Sequence, residues 1–347
     1  MPPARPQPRP NPPAPHKTAP PEIVDPIWLL KALALALVAA LVCAWLTACL
    51  LVYQGEWQLV LHPARTIDRT PAAIGVPYTD VRFDAYETGQ PRLTGWWVPA
   101  VASSGLQPRH AAFTVLYLHD GSGSLSSTVR QLARLHSAGL NVFAIDYRGF
   151  GTSDASVHPG AASMAEDTAA ALDYLTSTRH IPARNIIAYG SGLGGSLAAN
   201  LAVAHHELPA VILDNPDPDP ASTAVAAHPS KFIPVRLLFG HQFDVAGTIA
   251  TLATPKLLIA GGPNSGNVFH SLPRIQILFE HAADPHFAVT LPPENYEDSY
   301  QTALKRFLDQ YLTDHLISHN HLTRCIKGVK APDILGALRI GGEGYCG

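Results

Sequence analysis

The segment Gly190-Ser191-Gly192-Leu193-Gly194-Gly195 has the most chemistry in its spacing. It follows an apolar run and opens a helical one, and Asp214 ends the next apolar run 19 residues after Gly195. Glycines in a G-x-G-x-x-G pattern admit a pyrophosphate to a helix N-terminus, and an acid about 20 residues on can hold a ribose, so dinucleotide binding is one reading. A displaced hydrolytic site is another: Ser191 as nucleophile, Asp214 as acid and His270 as base fill the three roles of acyl transfer. Nothing in their spacing demands it, and the plain readings make Asp214 a loop residue of the run 214–220 and His270 a helix cap. His315, His319 and His321, near Asp314 and Cys325, include an i, i+4 pair that could hold a metal on one helix face. No second fixed ligand segment accompanies them, so they read as charge at a helix C-terminus, and no metal or cofactor is expected.

The elements that must position these residues alternate along the chain. Apolar, β-rich runs at 113–118, 142–145, 185–189, 211–213, 256–259 and 287–291 read as strands, while 163–175, 195–205, 271–281 and 296–312 carry helical spacing. Strands alternating with helices of this length require crossover connections. The expected fold class is therefore α/β, with a mainly parallel sheet covered by helices on both faces. Ahead of the alternation, 80–86 and 93–98 read as an antiparallel pair at one edge. Ligands in such sheets collect at the C-terminal ends of the strands, which is where the glycine-rich segment and Asp214 fall.

The chain has 347 residues, of which 47% are hydrophobic and 15% charged, and its net charge is -3. It is long enough to bury a full core, and it lacks the surplus cations that binding a nucleic-acid backbone requires. Residues 1–26 hold 11 of the 32 prolines and read as a disordered tail. Residues 27–53 are almost wholly apolar, and the 22 residues from 32 to 53 carry no charge. At about 1.5 Å per residue that run covers about 33 Å, the thickness of a bilayer core, so the expected partner of 27–53 is the lipid bilayer. Arg5, Arg9, Lys17 and Lys31 precede the span and Arg65 and Arg69 follow it, which favours a single-pass topology with the N-terminus inside and the C-terminal domain extracytoplasmic. Leu46-Thr47-Ala48-Cys49 has the form of a lipidation site, but the apolar run continues past it, and an uncleaved anchor is the expectation. Cys325 and Cys346 lie outside the span and could pair in an oxidising compartment. The domain takes up 54–313, and 314–347 form a C-terminal extension.

Four segments occur in a telling order: Leu61-His62-Pro63 with Gly95-Trp96-Trp97-Val98-Pro99; Leu116-Tyr117-Leu118-His119; Asp146-Tyr147-Arg148-Gly149-Phe150-Gly151-Thr152-Ser153; and Tyr189-Gly190-Ser191-Gly192-Leu193-Gly194-Gly195. Over about 53–312 the chain resembles the membrane-anchored branch of the α/β-hydrolase superfamily, serine hydrolases often described as alpha/beta hydrolase domain-containing proteins. The resemblance implies a nucleophile elbow G-x-S-x-G with serine on a strained strand-to-helix turn. On this chain the nucleophile position is Gly192, which has no side chain to attack a carbonyl. The implied acid position, after the run 256–259, is Asn264, and the implied base position, after Leu291-Pro292, is Tyr296. Asparagine cannot stabilise an imidazolium by charge, and a phenol with a pKa near 10 is a poor base at neutral pH. Asp120 stands where the family commonly has glycine, beside the oxyanion site, and negative charge there would repel a developing oxyanion. The backbone N–H of Leu193 survives any side-chain change and could still hold a carbonyl or an anion. His119 and Asp146 fall in packing positions of the family. The expectation is a membrane-anchored pseudohydrolase that binds a small ligand or a protein partner, with no nucleic acid and no catalytic triad.

Overall fold

The run Thr-Val-Leu-Tyr-Leu at 114–118 has no polar face, and it forms a strand buried along its whole length. This pattern belongs to strands covered on both sides, and it recurs through the centre of one eight-stranded sheet. The computed structural model describes residues 25–55, 58, 60–84, 92–101, 110–155, 158–220, 222, 225, 243–262 and 272–312. The strands are β1 (Thr79–Phe83), β2 (Leu93–Val98), β3 (Thr114–Leu118), β4 (Asn141–Asp146), β5 (Ile186–Ser191), β6 (Val211–Asp214), β7 (Lys256–Gly261) and β8 (His286–Leu291). They lie in the order β1-β2-β4-β3-β5-β6-β7-β8. β2 pairs antiparallel with both β1 and β4, and every other pairing is parallel. The expected antiparallel edge is therefore present.

The described helices are α1 (Pro26–Gln54), α2 (Leu125–Ser137), α3 (Ala161–Asp173), α4 (Gly194–Ala204), α5 (Val245–Ile249), α6 (Leu272–Glu280) and α7 (Tyr296–Tyr311). Alternate residues of each central strand feed two separate cores. Leu116, Leu118 and Ala188 meet α3 and α4 on one face, while Val115, Tyr117, Ile187 and Tyr189 meet α2 and α7 on the other. Helix α2 was not among the expected elements, because its Ser-rich start reads as loop; Leu125, Val129, Leu132 and Leu135 supply the buried stripe that makes it a helix. The run expected to end at Leu175 leaves α-helical geometry at Asp173 and continues as a π turn, Tyr174–Thr178.

Two compact units divide the chain, 1–50 and 51–347. The helical segment Pro26–Leu51 has a mean hydropathy of 2.5 and is long and apolar enough to cross a membrane. Of the expected tail 1–26, residues 1–24 lie outside the described residues and Pro26 already opens α1; Asn264, His270 and the extension with His315, His319, His321, Cys325 and Cys346 also lie outside them.

The quoted motifs become scaffolding around the strand ends. His62–Pro63 pairs with Ser122–Gly123, and the His62 N–H donates to the Gly121 carbonyl at 2.7 Å, fixing the loop after β3. Asp146 Oδ1 accepts from the Leu125 N–H at 2.9 Å and so faces the N-terminus of α2. Arg148 donates Nε–H to buried Asp167 at 2.5 Å and Nη2–H to Glu166 at 2.7 Å, pinning the turn after β4. Burial raises the Asp167 carboxyl to about 6 in spite of that partner.

Candidate functional site

β5 ends at Ser191, and the chain turns sharply through Gly192 into α4. Packing dictates the flanking glycines. A Cβ on Gly190 would lie 2.2 Å from the Gly194 carbonyl oxygen, and one on Gly194 would lie 2.3 Å from the Leu118 carbonyl oxygen. Gly192, at the apex, has φ +55°, the left-handed conformation of a nucleophile elbow. The backbone geometry expected for a hydrolase is thus present with no side chain on it.

The carboxylate of Asp120 fills the space beside Gly192. Asp120 Oδ1 accepts hydrogen bonds from the Leu193 N–H at 2.9 Å and the Gly121 N–H at 2.7 Å. A Cβ built on Gly192 would lie 2.2 Å from that same oxygen. Two convergent backbone donors at the start of a helix form an anion hole, and here the anion belongs to the chain itself. Asp120, expected beside that position, sets its carboxylate on both donors. Hydrogen bonds to a charged acceptor contribute about 1.5–3 kcal/mol each, so the plug also fastens the loop after β3 to the start of α4.

Ser191 and Asp214 are register partners on β5 and β6. Their side chains lie on the α2 and α7 face, with the Ser191 hydroxyl turned to the Tyr117 phenol. Asp214 is 5% exposed, and both its carboxylate oxygens already accept hydrogen bonds. The Tyr189 hydroxyl donates to Oδ2 at 2.6 Å, Gln131 Nε2 donates to Oδ2 at 3.0 Å, and Asn215 Nδ2 donates to Oδ1 at 2.9 Å. Burial raises the Asp214 pKa, and the Tyr189 hydrogen bond opposes the rise. Gln131 also bonds Tyr189 and Tyr300, and Arg134 bridges Gln131 Oε1 at 2.6 Å and Glu297 at 2.8 Å.

Tyr296, the expected base position, is buried elsewhere on this cluster. Its ring fits against Gly262, where a Cβ would come within 2.8 Å of it, and the Arg134 guanidinium lies 4.8 Å from the ring centroid. Burial, and then the charge of Asp214, raise its pKa above the ordinary phenol value, so it is a poorer base than a free tyrosine. The structure thus brings Asp120, Gly192 and Leu193 together, and separately Ser191, Tyr117 and Asp214. Tyr296 joins the second group through Arg134, not the first.

A cavity of about 560 Å³ opens over these groups, lined among others by Tyr117, Asp120, Arg134, Ser191, Asp214 and Asn215. The residues missed in the sequence are Tyr117, Gln131, Arg134, Tyr189 and Tyr300. A phenol in an otherwise apolar, doubly covered strand was an available signal for Tyr117 and Tyr189. Gln131 and Arg134 sit on the helix that was not anticipated. Among the described residues, no group of three or more His, Cys, Asp or Glu is placed to hold a metal ion. His119 packs on Tyr147 and Phe150 with Nε2 3.5 Å from Asp146.

Comparison with known proteins agrees with this architecture. The Pyrococcus furiosus esterase Pf2001 superposes with a TM-score of 0.54 at 20% identity, over 73% of this chain and 98% of its own, which shows the fold. Among sequence relatives, the uncharacterized protein Rv2307c of Mycobacterium tuberculosis is 28% identical over 226 residues, 63% of this chain and 75% of its own. The uncharacterized protein YfhR of Escherichia coli K12 is 23% identical over 231 residues, 65% of this chain and 77% of its own. The sequence pattern of the serine aminopeptidase S33 family matches residues 109–327. With that match lying across the elbow and the strands that carry it, this chain belongs to the serine aminopeptidase S33 family of α/β hydrolases.

Proposed function

We propose that the protein is a pseudohydrolase: a hydrolase-fold domain that binds a ligand or partner without covalent catalysis. The observation that carries this reading is the Asp120 carboxylate on the Leu193 and Gly121 amides, in the space a side chain at Gly192 would need. An acyl-transfer site requires a nucleophile at the apex and an empty hole for the oxyanion. Here the first is missing and the second is filled. The commitments of Asp214 to Tyr189, Gln131 and Asn215 leave it poorly placed to serve as the acid of a displaced triad or to bind a ribose. The cavity remains, and its polar lining suits a small polar ligand. Helix α1 is the anchor of this reading, and the cations ahead of it favour an extracytoplasmic domain.

The test is incubation of the full chain with a fluorophosphonate, followed by intact-mass analysis. No adduct is expected. An adduct on a serine, lost in Ser191→Ala, would establish an active displaced site and overturn the proposal. Orientation is tested separately by protease digestion of intact and permeabilised cells, where cleavage of the domain only after permeabilisation of the inner membrane would reverse the topology.

A further inference from the structure

The two edges of the sheet are finished differently. β1 carries Asp80 and Arg82, both exposed, and charges on an edge strand discourage the approach of another strand. β8, at the other edge, has no Asp, Glu, Lys or Arg, and its Phe287 and Val289 are only half-buried. Among the described residues no strand pairs with its outer side. The Lys256 N–H donates to the Pro285 carbonyl, so the two-residue period of a strand turns the bonding groups of Phe287, Val289 and Leu291 toward β7. Those of His286, Ala288 and Thr290 point outward, with no proline within the strand; Asp284, just ahead of it, lies 3.0 Å from His286 Nδ1. Along this edge runs a groove of about 570 Å³ between β8 and α7, whose lining includes Phe287, Val289, Asp298, Thr302 and Arg306. The Arg306 guanidinium sits 5.6 Å from the Phe287 ring centroid at one end. Asp298 lies eight residues earlier on the same helix, about 12 Å away along its axis.

We propose that this edge joins a second copy of the chain, β8 pairing antiparallel with β8 of the partner about a two-fold axis at Ala288. The charge pattern is what selects a second copy. A two-fold relation sets residue i against j and j against i. It lays α7 antiparallel to its copy and carries the Arg306 end of each groove toward the Asp298 end of the other, so opposite charges approach twice. Phe287 then faces Val289 of the partner subunit across the strands, also twice, an aromatic and β-branched pair suited to a sheet. The outward backbone groups of His286, Ala288 and Thr290 all gain partners, and two sheets become one. The inference concerns assembly and is independent of whether the elbow is catalytic.

Sedimentation of the full chain in a mild detergent tests it. The wild type is expected at twice the chain mass. Thr290→Lys places a charge on the edge, and Ala288→Pro removes an outward donor while leaving the bonds to β7; both are expected as monomers with unchanged circular dichroism. Asp298→Arg alone and Arg306→Asp alone should each weaken self-association about tenfold, and the two combined should restore it. A monomeric wild type would overturn the proposal, as would a dimer that survives both Thr290→Lys and Ala288→Pro. So would a wild-type monomer that dimerises only after deletion of 313–347, because the chain's own C-terminal segment would then be the occupant of the edge.

Discussion

The elbow and the Asp214 cluster occupy neighbouring strand ends, β5 and β6, and under the proposed function they depart from hydrolytic chemistry in opposite directions. At the elbow the backbone is that of an enzyme, with a left-handed Gly192 and two converging amides, and only the side chain is missing. At Asp214 the side chains are plentiful, with a carboxylate, two phenols, a glutamine and a half-buried arginine, but they are bonded to one another, and all except the arginine are buried. The contrast shows what each kind of feature depends on. Elbow geometry is held by the tight contacts of Gly190 and Gly194 with neighbouring backbone, so it persists whatever stands at the apex. A polar cluster persists only if every member has a partner, because each unpaired buried group costs about 1–3 kcal/mol. The Asp120 carboxylate joins the two regimes, using a side chain to saturate amides that catalysis would have left open.

Substitutions can break this comparison, beginning with the cluster. Asp214→Ala strands the Tyr189 hydroxyl and the Gln131 and Asn215 amides away from water, and should cost about 3 kcal/mol in urea unfolding. A loss below about 1 kcal/mol would mean that the cluster is not tightly coupled. At the elbow, Gly192→Ser must fit a Cβ 2.2 Å from Asp120 Oδ1 at a positive φ, and should cost about 2 kcal/mol. With Asp120→Gly already in place that space is free, so a double-mutant cycle should give a combined cost below the sum of the two. Strict additivity would contradict their competition for one volume. Asp120→Asn keeps the shape and loses the charge, and a thermal melt should show about 1 kcal/mol of destabilisation. The smallest effect is expected for Tyr296→Phe, which keeps the ring against Gly262 and Arg134. A change within about 0.5 kcal/mol would mark it as packing, and a larger one would give its hydroxyl a role.

Much of the fold was legible because doubly buried strands such as Thr114–Leu118 and Lys256–Gly261 are continuous apolar runs. The helices that follow them carry their own spacing. Helix α2 was not legible: its first turn, Leu-Ser-Ser-Thr, has turn-like composition, and packing against β4, β2 and residues 71–74 recruits it. The missing side chain at Gly192 could be read directly from the glycine pattern. That Asp120 stands near the hole could be read from its place after His119, but not that its oxygen replaces the ligand, since that depends on the loop held by His62–Pro63. The Asp214 cluster was hidden for a similar reason. Its members come from β3, α2, β5, β6 and α7, and no local pattern links Gln131 to Tyr300, 169 residues apart.

The central claim is that the anion hole is occupied by Asp120. The amide proton shifts of Gly121 and Leu193 in the isotope-labelled full chain test it most directly, because both protons point at one carboxylate oxygen. Charge-assisted hydrogen bonding should place both resonances downfield, and Asp120→Ala should move both upfield together while Tyr296→Phe leaves them in place. Amide protons of Gly121 and Leu193 that do not respond to Asp120→Ala would contradict the account, leaving an open hole above the elbow.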